Sequence, residues 1–286
     1  MARIADLLNA GRTFSFEFFP PKTDAATKAL EEAIAELSPL APSFVSITYG
    51  AGGTTRSLTH DLVARIRKES SITPMAHLTC VGHLRSEIDE ILDQYEGVGV
   101  ENILALGGDQ PADPAERRPS DYSHAIELVN QIKSRGCFSV GVAAHPECHP
   151  KSPSRADDRK FLAEKLNIAD FAITQFFFES RHYIAMVDEL KDLGVSKPVI
   201  PGIMPVTNKA QVRRMAELSG AAFPKWLEQR LAATDDPDTV RRIGVDAATE
   251  LCSELLANGA PGLHFYTMNR STATLEVYRN LGLSKS

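Results

Sequence analysis

Glu17 is the sharpest candidate for chemistry in the sequence. It stands in the run Phe16-Glu17-Phe18-Phe19-Pro20-Pro21. A carboxylate among aromatic rings loses hydration, which disfavours its charged form and raises its pKa. An acid that keeps its proton near neutral pH can serve as a general acid. The competing expectation is a structural salt bridge, because Glu is seldom buried without a partner. Asp109 follows Gly107 and Gly108, and glycine lets backbone approach a ligand closely. Taken alone, an Asx turn before Pro111 is the stronger reading there. Gln175 lies in the apolar run Ile173-Thr174-Gln175-Phe176-Phe177-Phe178, where a buried amide must find partners in backbone or in a polar heterocycle. His145, Glu147 and His149 would share a face of an extended strand, and two His with a carboxylate is metal-site chemistry. Pro146 and Pro150 interrupt that strand. Gly50-Ala51-Gly52-Gly53-Thr54-Thr55 opens a helix and could receive an anion. It lacks the spacing of a P-loop or dinucleotide fingerprint, so it is expected to be a flexible loop followed by Arg56.

These residues need elements to hold them. Near-continuous apolar runs predict strands at 13–20, 44–50, 73–80, 102–107, 138–145, 171–178, 199–204 and 263–268. Between them lie helical spacings, such as Ala125, Leu128, Val129 and Ile132 at i, i+3, i+4 and i+7. Thr207 or Asn208 is expected to cap the helix after the seventh strand. Pro224 and Asp235-Asp236-Pro237 divide the stretch before the eighth strand into a short extra helix and a longer one, with Trp226 as packing. Eight strand–helix repeats predict an α/β fold, a TIM (β/α)8 barrel with an extra helix before the eighth strand, filling residues 1–286 as one domain. Such a barrel works at the C-terminal ends of its strands, where the polar residues of this sequence collect.

The composition excludes several classes. The chain has 286 residues, 43% of them apolar, and a net charge of −6. That excludes a disordered chain and disfavours nucleic-acid binding. No apolar run is long enough to span a membrane. No signal peptide is expected, and Cys80, Cys137, Cys148 and Cys252 have no metal or disulfide spacing, so a reducing cytoplasm is expected.

Several motifs occur in order: Ser15-Phe16-Glu17-Phe18-Phe19-Pro20-Pro21-Lys22, Tyr49-Gly50-Ala51, His77-Leu78-Thr79-Cys80, Gly108-Asp109 before Pro111, and Pro146-Glu147-Cys148-His149-Pro150. Then follow Thr174-Gln175-Phe176-Phe177-Phe178, Pro201-Gly202-Ile203-Met204-Pro205 and His264-Phe265-Tyr266-Thr267-Met268-Asn269-Arg270. Together they closely resemble the catalytic domain of the 5,10-methylenetetrahydrofolate reductase family, in its short bacterial form, over residues 14–282. The resemblance implies reduction of the bridging methylene to a methyl group with hydride from NADH or NADPH. It implies that Glu17 protonates N10 and opens the five-membered ring to an iminium ion. Asp109 would lie by the pterin or the flavin and favour the cation electrostatically. Gln175 would bond the pterin edge, Arg270 would hold the glutamate tail, and Tyr49 would also line the substrate site. For the family's FAD, the matching positions are Thr59, His77, Gly108, Asp109, His149 and Asp157.

Departures from the family pattern weigh against FAD. Gly107 replaces an Arg, Glu164 replaces a Lys and Lys160 replaces an Asn, and an anionic Glu164 would repel a pyrophosphate. Arg155, Arg159 and Lys165 could restore positive charge. Lys209 stands where the family commonly has an aromatic residue over the substrate. Flavin is therefore expected to bind weakly or not at all, with NADH reducing the iminium directly. The nucleotide-specificity signal of a Rossmann fingerprint is not present. Two other classes stay open: a metal-dependent hydrolase using His145, Glu147 and His149, and a folate-binding protein without turnover. The expected partners are small molecules, with neither nucleic acid nor membrane, and a homo-oligomer is compatible with the sequence.

Overall fold

All eight apolar runs form strands in the computed structural model, which describes residues 2–50, 56–111 and 113–283. They are β1 (Thr13–Phe18), β2 (Phe44–Ile47), β3 (Pro74–Thr79), β4 (Asn102–Leu106), β5 (Ser139–Ala144), β6 (Phe171–Phe176), β7 (Val199–Ile203) and β8 (Gly262–Tyr266). They pair in parallel in chain order and close into a barrel, β8 returning to β1. This is the TIM barrel expected. Every strand stops one to three residues short of its expected C-terminal end. The ladder ends where the chain curves into the mouth, although the β-type residue composition continues.

The helices are α1 (Ile4–Ala10), α2 (Asp24–Leu37), α3 (Arg56–Glu69), α4 (Arg85–Gly97), α5 (Ala125–Ser134) and α6 (Arg155–Leu166). Then come α7 (Ser180–Asp192), α8 (Lys209–Ser219), α9 (Lys225–Ala232), α10 (Pro237–Ala257) and α11 (Thr272–Asn280). The short α9 and the long α10 are the pair expected before the eighth strand. Asn208 caps α8 by accepting from the Gln211 amide, and Asp236 caps α10 by accepting from the Thr239 amide. Among the described residues no helix is long and apolar enough to cross a membrane.

Two of the three apolar clusters among the described residues frame the barrel wall and floor. One lies between the strands and the helices and contains Phe16, Phe18 and Phe265. The other fills the lower barrel interior with Phe44, Met75, Leu104, Phe171, Ile173 and Ile200. Each of these side chains contributes about 1.5–3 kcal/mol by leaving water. Sequence reasoning missed α1, which closes the bottom of the barrel. Its Ile4 is fully buried in the lower layer, and its first amides donate to the side chains of Asn102 (2.8 Å) and Ser139 (3.2 Å). The i, i+3, i+4 spacing of Ile4, Leu7 and Leu8 could have revealed it.

Candidate active site

Glu17 points into the barrel, because its neighbours Phe16 and Phe18 take the opposite face and pack beneath the helices. Parallel pairing sets Glu17 beside Ser46 on β2 and Tyr266 on β8. Its Oε2 lies 3.4 Å from His77 Nε2 on β3 and 3.4 Å from His264 Nε2 on β8. The Ser46 hydroxyl donates to the same oxygen at 3.4 Å. The Glu17 side chain is 17% exposed, so it reaches the mouth, whereas His264 is fully buried.

The surroundings of Glu17 overturn the expected raised pKa. Burial pushes the carboxyl up. The hydrogen bond with His264, the charges of His77 and His264 and the Ser46 hydroxyl outweigh it, and the group is held below the usual carboxylate range. Phe16 and Phe18, which suggested a dry pocket, face the other way, and Phe19 is exposed. The His77 pKa is lowered as well, there by burial itself, with Glu17 opposing and His264 reinforcing.

The end of β8 fixes the end of β1. The Thr267 hydroxyl donates to the Glu17 carbonyl at 2.6 Å. Asn269 grips the Phe19 backbone twice, donating to its carbonyl at 2.8 Å and accepting from its amide at 3.0 Å. To do so the chain runs through two left-handed residues, Met268 (φ 53°) and Asn269 (φ 55°). Asn tolerates that region and Met does so only with strain. Tyr266 donates to the Thr174 carbonyl at 2.6 Å. Its ring lies where a side chain at position 202 would project: a Cβ on Gly202 would fall 2.3 Å from that carbonyl and 2.6 Å from the ring. Thr267 and Asn269 stand out in the sequence only as part of a motif, and their bracing role depends on contacts some 250 residues apart.

The rim of the mouth is looser. Gly108 has φ +83°, and a Cβ there would meet Val81 at 2.6 Å, so only glycine fits. It leads to Asp109, whose exposed carboxylate pairs with the exposed Lys151 ammonium at 3.2 Å, away from the Glu17 cluster. Gln175 is half-buried beside an irregularity in the β6–β7 pairing, and its side-chain oxygen accepts from the Phe176 amide at 3.1 Å. Such irregularities re-aim side chains next to sites. Arg270 follows β8 with its side chain exposed. The Tyr49 hydroxyl lies 3.2 Å from His83 Nε2, and burial pushes its pKa up to about 12, so it keeps its proton. Residues 51–55 of the glycine-rich loop lie outside the described residues.

The His145-Glu147-His149 set does not assemble. The two rings touch edge to face at 4.5 Å, and burial pushes His145 down to about 3. Glu147 instead accepts from the Ala222 amide at 3.1 Å. Among the described residues no three His, Cys, Asp or Glu are placed to hold a metal. The proline-broken chain after β5 turns the carboxylate away from the face that an extended strand would have given it.

The other expected site positions make contacts within the protein. Lys209 donates to the carbonyls of Leu231 (3.2 Å) and Thr234 (2.7 Å) and pairs with Asp235 (2.6 Å), so it ties α8 to the end of α9. Thr59 is buried on α3 and donates to the Thr48 carbonyl at 2.9 Å. Asp157 accepts from the Ser154 hydroxyl at 2.7 Å in the first turn of α6, and the His149 ring accepts from the Lys151 amide. On α6, the cations expected to restore charge turn inward or sideways. Arg159 is buried against the carbonyls of His145 and Pro146 and against Glu189. Lys165 donates to the Ala143 carbonyl, and Arg155 pairs with Glu189. Lys160 and Glu164 face solvent.

The chain resembles known proteins along nearly its whole length. The family model for methylenetetrahydrofolate reductase matches residues 2–282. A 5,10-methylenetetrahydrofolate reductase of Pectobacterium carotovorum subsp. carotovorum is 35% identical over 271 residues, covering 94% of this chain and 90% of its own length. An Arabidopsis thaliana protein named methylenetetrahydrofolate reductase (NADH) 1 is 34% identical over 297 residues, covering 98% of this chain and 50% of its own length. Among solved structures, a Clostridium thermocellum protein that binds two copies of 5-methyl-5,6,7,8-tetrahydrofolic acid aligns with a TM-score of 0.71 and 16% identity, covering 99% of this chain and 98% of its own. That likeness speaks to the fold alone. With the family model spanning nearly every residue and a relative at 35% identity aligned over almost the full length, the chain belongs to the methylenetetrahydrofolate reductase family of enzymes.

Proposed function

We propose that this chain reduces 5,10-methylenetetrahydrofolate to 5-methyltetrahydrofolate with hydride taken directly from NADH, and that Glu17 is the general acid. The observation that carries the reading is Glu17 at the carboxyl end of β1, turned into the mouth with an imidazole nitrogen 3.4 Å away on either side. Glu17 protonates N10, the carbon–N10 bond opens to an iminium on N5, and hydride completes the methyl group. The carboxylate left behind stabilises the cation, as preorganised charge does in a site that excludes water. Asp109 adds negative charge from the rim after exchanging Lys151 for the substrate. Gln175 is placed to bond the pterin edge, and the exposed Arg270 suits the folate's glutamate carboxylates.

The family's FAD does not fit the residues present. Arg155, Arg159 and Lys165 of α6, which could meet a pyrophosphate, are engaged by backbone carbonyls or by Glu189. Asp157 is held in the helix cap, and His77 faces Glu17. Glu164 adds a solvent-facing negative charge on the same helix. NADH as donor draws support from the plant relative's name.

The test is anaerobic turnover of the purified protein with methylenetetrahydrofolate and NADH, without added flavin. The expected result is NADH oxidation matched mole for mole by 5-methyltetrahydrofolate, from a protein with no flavin band and no sensitivity to chelators. Turnover only after FAD is added would overturn direct transfer. Folate binding without NADH oxidation in either condition would replace the enzyme with a folate-binding protein.

A further inference from the structure

His264 is held at both ring nitrogens. Nδ1 lies 2.8 Å from the Ser15 hydroxyl, and that hydroxyl lies 3.4 Å from the Leu263 carbonyl. Nε2 lies 3.4 Å from Glu17 Oε2 and 3.3 Å from the Ser46 hydroxyl. The ring is stacked on Phe44 at 5.9 Å and meets Tyr266 edge-on at 5.4 Å, so it cannot swing away. If Ser15 donates to the Leu263 carbonyl, it accepts the Nδ1 proton. Nε2 then faces a carboxylate oxygen, and two lone pairs would repel there unless one proton lies between them. His77 differs: its Nε2 is buried near the same oxygen yet has no hydrogen-bond partner among the described residues.

We propose that His264 is a positioning residue that holds one proton jointly with Glu17 and returns it to the carboxyl as the substrate nitrogen approaches. The inference rests on the reading of Glu17 as the general acid. The proton passes from His264 Nε2 to Glu17 Oε2 and on to N10. The carbon–N10 bond then breaks with its electron pair on N10, leaving the iminium on N5, a Glu17 carboxylate and a neutral His264. After the product leaves, water restores the proton through Glu17, because His264 and Ser15 are fully buried. This resolves how a carboxyl held in its charged form can act as an acid: the proton is stored one bond away. The groups facing Glu17 are Ser15 on its own strand, Ser46 on β2, His77 on β3, and His264 and Tyr266 on β8. Tyr266 is kept protonated by burial and by Glu17 itself.

The test compares pH–rate profiles of the wild-type enzyme and His264→Gln, which keeps a donor toward Glu17 but cannot store a proton. A coupled pair titrates as a unit. The variant is expected to lose about ten- to a hundredfold in kcat near pH 8, to recover as the pH is lowered, and to keep its KM for folate. An equal loss at every pH marks a structural role and overturns the proposal. Should the variant not fold, histidine-nitrogen and carboxyl-carbon NMR of the wild-type protein decides. Shared titration steps for His264 and Glu17 support the proposal, and independent steps overturn it. Full turnover by Glu17→Gln would instead remove the underlying reading of Glu17.

Discussion

Two layers of one barrel interior have opposite characters. The lower holds Phe44, Met75, Leu104 and Phe171 and is sealed by Ile4. The upper holds Glu17, Ser46, His77 and His264. On β2 the step between them is Phe44 to Ser46, and on β3 it is Met75 to His77. Two residues of strand, about 6.6 Å, separate them. The lower layer is specified by shape and exclusion of water. The upper is specified by hydrogen bonds, and it sits on a dry floor. Protons can therefore enter the cluster only from the mouth. A polar group in such a place is stabilising only while its partners are present.

The contrast can be broken from either side. The largest effect is expected for Glu17→Gln: a loss of about a thousandfold in turnover, with folate binding retained in equilibrium titration. Near-normal turnover would remove the functional distinction between the layers. Next is Met75→Ala, expected to lower unfolding free energy by about 3 kcal/mol in urea titration while leaving KM for folate unchanged. If that variant instead loses activity without losing stability, the floor belongs to the site. Asn269→Ala removes the grip on Phe19 and is expected to cost about 1–2 kcal/mol of stability. Its kcat should also fall more than its KM rises, because Glu17 loses its fixed backbone. The smallest effect is expected at the rim, where Lys151→Met breaks an exposed pair worth at most about 1 kcal/mol. Thermal melting should not register it, and only the folate KM should shift.

The floor was easier to read from sequence than the cluster. Alternating apolar runs announce strands, and their number announces the barrel, because burial on both faces leaves a local signature. The seven-residue α1 escaped because it is short and its partners Asn102 and Ser139 are distant. Glu17 was legible as a residue but not in its protonation state. His264, which shapes that state, lies 247 positions away, and the pairing of β1 with β8 brings it close. Lys209, Arg159 and Lys165 carried the charge expected of ligand-binding groups. In the structure each meets carbonyls at or near the ends of neighbouring elements, a demand set by tertiary structure alone.

The notch at Gly202 has a consequence for how the family can vary. Tyr266 occupies part of the volume that a side chain at 202 would need, and its hydroxyl reaches across β7 to β6. The nearest atom to such a side chain is the Thr174 carbonyl at 2.3 Å, which belongs to the backbone of β6 and cannot yield as a side chain can. Shrinking 266 therefore does not admit a larger residue at 202. In a library randomised at both sites and selected for growth, survivors should keep glycine at 202 whatever stands at 266.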